Sequence, residues 1–498
     1  MDSAFLVSHS CLTSTFTQNT HVSFHNCSFT CTPQCYTLKR RSNLRLSASS
    51  LPLNLNNHEN LTKNQDSFKV VVIGGTGRVG YSTAIHLESL YNKKRNSTER
   101  INKQLEIILV GRNQDIGQKH AMHLHNGSFQ CVDYTNRNEF MKVLTGIDLV
   151  IHTAGPFQNR DVPCEVLLAS IEAGCKGYID VCDDVKHMKA AKDCHELAKN
   201  QGIECVICTG IYPGVSNLMA VDVIESVKQM NLELDTNFCQ GQLEFSYFTA
   251  GTGGAGATIL ESTMLLLGEP ALVYESDKVE YKQAASQLKT VEFNGVDEQS
   301  GEPFEQDVYV LNLPEVYSLY EYYKKENVLS NVIARFATAP EYWNWLIRLT
   351  PKIIPRKILQ NQKIAKQMSK VSLPFVRYID SLCGSRTCIR VDYKVVQKSN
   401  PDNVIVHVTR IYQHQDLQSC VGIATAAFAY EMLKIEDSGS DSIGAGVWLP
   451  EEAFGRKSNR RNALLENAII DADQWKLIVS KDPQHNSDVT HIADQSRD

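Results

Sequence analysis

The chain has 498 residues, 42% of them hydrophobic, and a formal net charge of −6. That length exceeds one compact core and implies two domains with extensions. The negative charge excludes a broad electrostatic attraction to nucleic acid, and with no apolar run of about 20 residues a transmembrane helix is not expected.

The first 60 residues read as a leader. Ser8, Ser10, Thr13, Ser14, Thr15 and Thr17 make it hydroxyl-rich, and Asp2 is its only acid before Glu59. Lys39, Arg40, Arg41 and Arg45 precede Leu46-Ser47-Ala48-Ser49-Ser50. A basic, acid-poor, hydroxyl-rich leader without a continuous apolar stretch describes an organelle transit peptide. The scarcity of arginine before residue 40 favours a plastid, with the mature chain in the stroma. The other reading is an N-terminus without structure or address.

Six short apolar runs then alternate with helical stretches. Phe68 to Ile73 is the first strand; it ends in Gly74-Gly75-Thr76-Gly77-Arg78-Val79-Gly80 and opens a helix from Tyr81 to Tyr91. Asn92 to Gln104 is charged and reads as an exposed loop. Strands follow at Leu105–Val110, Phe129–Val132, Asp148–His152, Tyr178–Val181 and Ile203–Cys208, with helices at Asp115–Asn126, Arg137–Thr145, Val162–Ala173 and Val185–Gln201. Strands separated by single helices predict a doubly wound parallel sheet, a Rossmann α/β domain over residues 65–215, with ligands at the carboxyl ends of the strands.

Gly75-x-Gly77-x-x-Gly80 between strand and helix is a dinucleotide fingerprint. Gly75 is expected to allow the tight turn, Gly77 the approach of backbone to pyrophosphate, and Gly80 the close packing of helix on strand. The second strand ends in Gly111-Arg112-Asn113, with no acid for a ribose hydroxyl; Arg112 suits a 2′-phosphate, so NADP is the expected cofactor. Asp133, closing the third strand, reads either as a contact to the adenine amine or as a helix cap. Thr153-Ala154-Gly155-Pro156-Phe157, after the fourth, is placed to pass the nicotinamide ribose.

These motifs, with Tyr178-Ile179-Asp180 and Gly210-Ile211-Tyr212-Pro213-Gly214, resemble the saccharopine dehydrogenase NADP-binding-domain family over about residues 68–220; with its leader the chain is similar to the plastid-targeted plant type. The resemblance implies an inserted α+β domain for substrate and dimer contacts, here 216–430, a segment packing back on the first domain, 431–475, and a homodimer. It does not carry over the C–N chemistry of saccharopine, since no basic cluster matched to a dicarboxylate amino acid is evident.

Leu218–Met230 reads as a helix and Leu243–Phe248 as a strand. A second glycine-rich turn, Thr249 to Gly256, precedes a helix at Ala257–Leu267 and reads either as a seat for a substrate carboxylate or the nicotinamide amide, or as a packed turn. Ile389–Val396 and Asn403–Tyr412 look like paired strands, followed by a helix at Cys420–Leu433. Glu341 to Leu382 is helical and cation-rich, broken by Pro351 and Pro355. It reads as a solvated face over a core-packed stripe, or as a contact for an anionic membrane. Residues 480–498 read as a polar tail.

The reading is an NADP-dependent oxidoreductase reducing a C=O, C=N or activated C=C of a small metabolite. Tyr212 is the first candidate proton donor and Asp183 the second; Asp184 and His152 also lie near strand ends, and either aspartate reads equally as a helix cap. The alternative is a nucleotide sensor without turnover. No cysteine–histidine set has zinc spacing. Cys205 and Cys208, three apart in a strand, are expected on opposite faces as packing residues; Cys383 and Cys388 flank a turn and could pair.

Overall fold

The computed structural model describes residues 67–97, 103–160, 162–230, 232, 238–250, 256–296, 303–438 and 442–481. The leader and nearly all of the polar tail lie outside them. Thr62–Asp498 makes one contact unit.

The first sheet uses β1 (Ser67–Ile73), β2 (Gln104–Gly111), β3 (Gly127–Cys131), β4 (Leu149–His152), β5 (Gly177–Asp180) and β6 (Glu204–Val206). The second uses β7 (Cys239–Ala250), β8 (Ala271–Glu275), β9 (Lys278–Lys282), β10 (Ser286–Val296), β11 (Pro303–Val310), β12 (Asn331–Ala339), β13 (Arg386–Gln397) and β14 (Asn400–His414). The chain then returns: β15 (Gly446–Trp448) joins the first sheet beside β6, and β16 (Gln474–Lys481) joins the second beside β14.

The first sheet has the order β15-β6-β5-β4-β1-β2-β3, and every pairing is parallel. This is the Rossmann α/β fold. The run Val70-Val71-Val72-Ile73 is buried on both faces, as a central parallel strand between helical layers must be. The second sheet, β10-β11-β12-β7-β13-β14-β16 with β8 beside β12 and β9 beside β8, is mixed: β7 and β12 are parallel and its other pairs antiparallel. β13 and β14 pair antiparallel. One core joins both sheets, running from Val70 and Leu87 through Val215, Leu218 and Val221 to Phe245, Tyr309 and Val391. The helix Val215–Gln229 supplies its middle and is buried along most of its length.

Several expectations change. The helix after the glycine turn runs Arg78–Ser97, so half of the segment read as a loop is helical. Its lysines and arginines favour helix, and Lys94 and Arg95 sit in the last turn, where cations complement the exposed carbonyls. Val185–Gln201 is two helices, Val185–Asp193 and His195–Asn200, meeting at Cys194. β6 ends at Val206, and Cys208 adopts a left-handed φ of 62°. The alternation that would separate Cys205 from Cys208 stops before it applies, and both are buried in one core cluster. Cys388 is buried in β13; the side chain of Cys383 lies outside the described residues. Pro355 separates two helices, whereas Pro351 falls inside Glu341–Ile353.

Candidate active site

The strand order reverses between β1 and β4, and an open parallel sheet leaves a crevice there at its carboxyl edge. A cleft of about 690 Å³ occupies it, within the usual range for small-molecule and cofactor sites. Residues after all of β1 to β6 line it, and from the other half come Gly256, Thr258, Ile259 and Ser262 at the start of the helix Ala257–Leu267, with Leu417, Gln418 and Val421.

The glycine turn is built from the main chain. Gly74 and Gly75 donate to the Val110 carbonyl at 2.9 and 3.0 Å, and the Gly77 N–H closes on the Gly74 carbonyl at 2.7 Å. Gly74, with φ +91°, takes the left-handed conformation the turn requires. The role expected of Gly75 therefore falls to Gly74. Gly75 instead packs on Leu109, which a Cβ there would meet at 2.8 Å, and it does not line the cleft. Gly80 packs as expected: its Cβ would fall 2.4 Å from the Gly74 carbonyl oxygen and 2.6 Å from Thr153 Oγ1. Thr76 covers Gly111. Gly74, Thr76, Gly77, Arg78, Val79 and Gly80 all line the cleft, so the helix Arg78–Ser97 begins at it.

Arg112 and Asp133 reach the cleft from β2 and β3. Arg112 is 79% exposed and stands 3.9 Å from the Asp133 carboxylate, an exposed pair of little energetic weight. Asp133 does not cap the next helix; it accepts from the Thr135 N–H and hydroxyl at 3.1 and 2.9 Å. Thr153, Ala154, Gly155 and Pro156 line the opposite side, and Thr153 Oγ1 donates to the Ile73 carbonyl at 2.9 Å.

Arg160, not singled out by sequence, shapes this segment. Its Nε donates to the Pro156 carbonyl at 2.8 Å, its Nη2 to the Ala154 carbonyl, and its guanidinium lies over the Phe157 ring at 4.4 Å. An arginine four residues beyond the proline was the only local signal. His152 is buried beneath the cleft and does not line it; its Nδ1 is 3.1 Å from the Tyr178 hydroxyl. Burial and the nearby Arg160 cation hold its imidazole well below its ordinary value.

Both catalytic candidates line the cleft. Burial pushes the Asp183 carboxyl up to about 6, against the opposing pull of Gln158 and Arg160. Asp184 caps the next helix, accepting from the His187 N–H at 2.8 Å. The Tyr212 ring stacks on Tyr247, with centroids 4.7 Å apart, and its hydroxyl is 3.0 Å from Thr249 Oγ1. Burial raises its phenol, which keeps its proton at neutral pH. Of the second glycine-rich turn, Gly251–Ala255 lies outside the described residues.

Behind Asp183, the Asp180 carboxylate accepts from the Cys182 and Cys208 N–H groups at 3.1 and 2.9 Å and from the Tyr178 hydroxyl at 3.0 Å. Asp180, Cys182 and Cys208 bring ligand atoms within 4.8 Å of one another. The carboxylate is committed to those three donors, and the Cys182 thiol to the Asp184 carbonyl at 3.5 Å. This knot anchors the ends of β5 and β6, from which Asp183 and Gly210 enter the cleft.

No family model matches the chain, and no curated protein does. Among solved structures, homospermidine synthase from Legionella pneumophila in complex with NAD is 11% identical and aligns over 86% of this chain and 96% of its own, with a TM-score of 0.50. A likeness at that identity is one of fold. A levoglucosan dehydrogenase in complex with NADH and levoglucosan aligns over 82% of this chain and 98% of its own at 10% identity, with a TM-score of 0.36, too low to argue from.

Proposed function

We propose that the protein is an NADP(H)-dependent oxidoreductase acting on a C=O, C=N or activated C=C of a small metabolite. The observation that carries this is the glycine turn opening on a cleft at the switch point of the sheet, with a helix N-terminus for a pyrophosphate. The shared fold with an NAD-bound enzyme supports a nicotinamide dinucleotide. The preference for NADP rests on Arg112, exposed at the end of β2 and held only loosely by Asp133. Bound there, the cofactor would supply the hydride.

Titration of the purified mature protein with NADPH and NADH is the test. NADPH is expected to bind the more tightly, and Arg112→Ala to weaken it by roughly tenfold or more, the worth of one charged hydrogen bond, with NADH little changed. Equal affinities, or an NADH preference indifferent to Arg112→Ala, would refute the NADP assignment; no binding of either would remove the oxidoreductase reading.

Asp183 is the group we assign to proton delivery, because a carboxyl near 6 is matched to transfer near neutral pH. Tyr212 then donates a hydrogen bond to the developing oxygen or nitrogen. The sign follows: the donor is the protonated form, so reduction is fastest below about 6 and declines as pH rises through it. Once NADPH oxidation by a metabolite extract gives a substrate, kcat/KM for reduction should show that decline. Asp183→Asn should flatten it and lower the rate by roughly a hundredfold. A pH profile unmoved by Asp183→Asn would assign the proton elsewhere.

A further inference from the structure

The helices Glu341–Ile353 and Gln362–Cys383 each present three faces instead of two. One is packed inward, through Asn344 and Thr350 on the first and Ala365 and Val376 on the second. The second is apolar and exposed. Trp345, Leu346 and Ile353 are 62%, 43% and 65% exposed; Val371, Phe375 and Tyr378, at spacings of four and three, are 82%, 57% and 63% exposed. The third is basic. Lys363, Lys366, Lys370 and Arg377 follow a helical row turned roughly 100° from the apolar one, and Arg348 and Lys352 flank the apolar row of the first helix. The two helices meet where the Phe375 ring stands 5.8 Å from the partly buried Trp343.

Large apolar side chains left in water in rows on two touching helices mark an interaction surface. Charge decides the partner. Residues 341–383 hold eight lysines and arginines against two acids, Glu341 and Asp380, in a chain of net charge −6. A second copy on this face would set cation against cation. A headgroup layer over acyl chains offers what the two rows require: anions for the lysines and arginines, an apolar boundary for Trp345, Val371 and Phe375, and an interfacial seat for Tyr378. Among the described residues no helix is long and apolar enough to cross a membrane, which leaves a surface contact.

We propose that this face docks the protein on an anionic lipid bilayer. The docking helices are tied to the cleft: Gln362 Nε2 donates to the Gln158 carbonyl at 2.8 Å and Asn159 Nδ2 to the Gln360 carbonyl at 3.2 Å. A bilayer would therefore press on elements joined to the Thr153–Phe157 segment.

Flotation of the full mature chain with vesicles of phosphatidylcholine, alone or mixed with phosphatidylglycerol, tests it. The protein should float with the mixed vesicles and at least about tenfold less with the neutral ones, and high salt should weaken binding. Trp345→Glu with Val371→Glu, and separately Lys363→Glu with Lys370→Glu, should each reduce flotation by roughly tenfold or more, with melting temperature and NADPH affinity retained. No flotation, flotation indifferent to lipid charge, or full binding by both variants would overturn the proposal. A dimer in solution broken by Trp345→Glu would assign the face to a second copy instead.

Discussion

Gly80→Ala is expected to weaken dinucleotide binding by about a hundredfold, the equivalent of losing one or two hydrogen bonds to a charged phosphate. The added methyl would lie 2.4 Å from the Gly74 carbonyl oxygen and 2.6 Å from Thr153 Oγ1. Neither can yield cheaply. The Gly74 carbonyl holds the Gly77 N–H at 2.7 Å, and the Thr153 hydroxyl is bound to the Ile73 carbonyl at 2.9 Å. The first turn of the helix Arg78–Ser97 must lift, and its N–H groups leave the position from which they would meet a pyrophosphate. Overpacking of this kind costs about 1–3 kcal/mol, so the protein should still fold. NADPH titration by fluorescence, beside a thermal melt, separates the two effects. Wild-type affinity in a folded Gly80→Ala protein would show that this turn does not hold the cofactor.

Asp180→Ala should be the most destabilising single change near the cleft, by about 2–6 kcal/mol, because it orphans two buried N–H groups at about 1–3 kcal/mol each. Those are the donors of Cys182 and Cys208. Asp180→Asn should cost little at neutral pH. Its amide oxygen accepts the same two N–H groups, its NH₂ can donate to the Tyr178 oxygen, and the Tyr178 hydroxyl can turn to His152 Nδ1, 3.1 Å away.

The pH dependence separates the variant further. Burial raises the Asp180 carboxyl from 3.8 to about 6 in the folded protein. Its contribution to stability is therefore complete below the unfolded value and is lost as pH rises through about 6, by about 3 kcal/mol. Asparagine does not titrate, so the stability of Asp180→Asn relative to wild type should rise between about pH 4 and 6. Denaturant melts across that range read the difference. A constant offset would show that Asp180 does not titrate there, and a mild Asp180→Ala would show that the knot is not what anchors β5 and β6.

The sequence by itself determined six of the seven strands of the first sheet and the edge at which its cleft had to lie. Strand, glycine turn and helix are local events, set by the apolar run Val70 to Ile73 and the glycines after it, and repeated alternation places every loop of interest at one edge. Gly77, Gly80, Arg112, Thr153 and Asp183 were legible because each lies in the turn or first helical residues after a strand. Tertiary structure alone decided the rest. Gly74 takes the left-handed turn while Leu109 fills the space beside Gly75, and neither fact can be read from the glycine run itself. Cys205 and Cys208 share a core because the chain bends after Val206 to meet Asp180, a partner 28 residues earlier. The far wall of the cleft comes from a helix beginning about 180 residues after the glycine turn, and the apolar rows of Trp345 and Val371 face outward because packing took another side of each helix. Periodicity along a chain reports which side chains share a face; which neighbour covers that face is fixed only when distant segments pack.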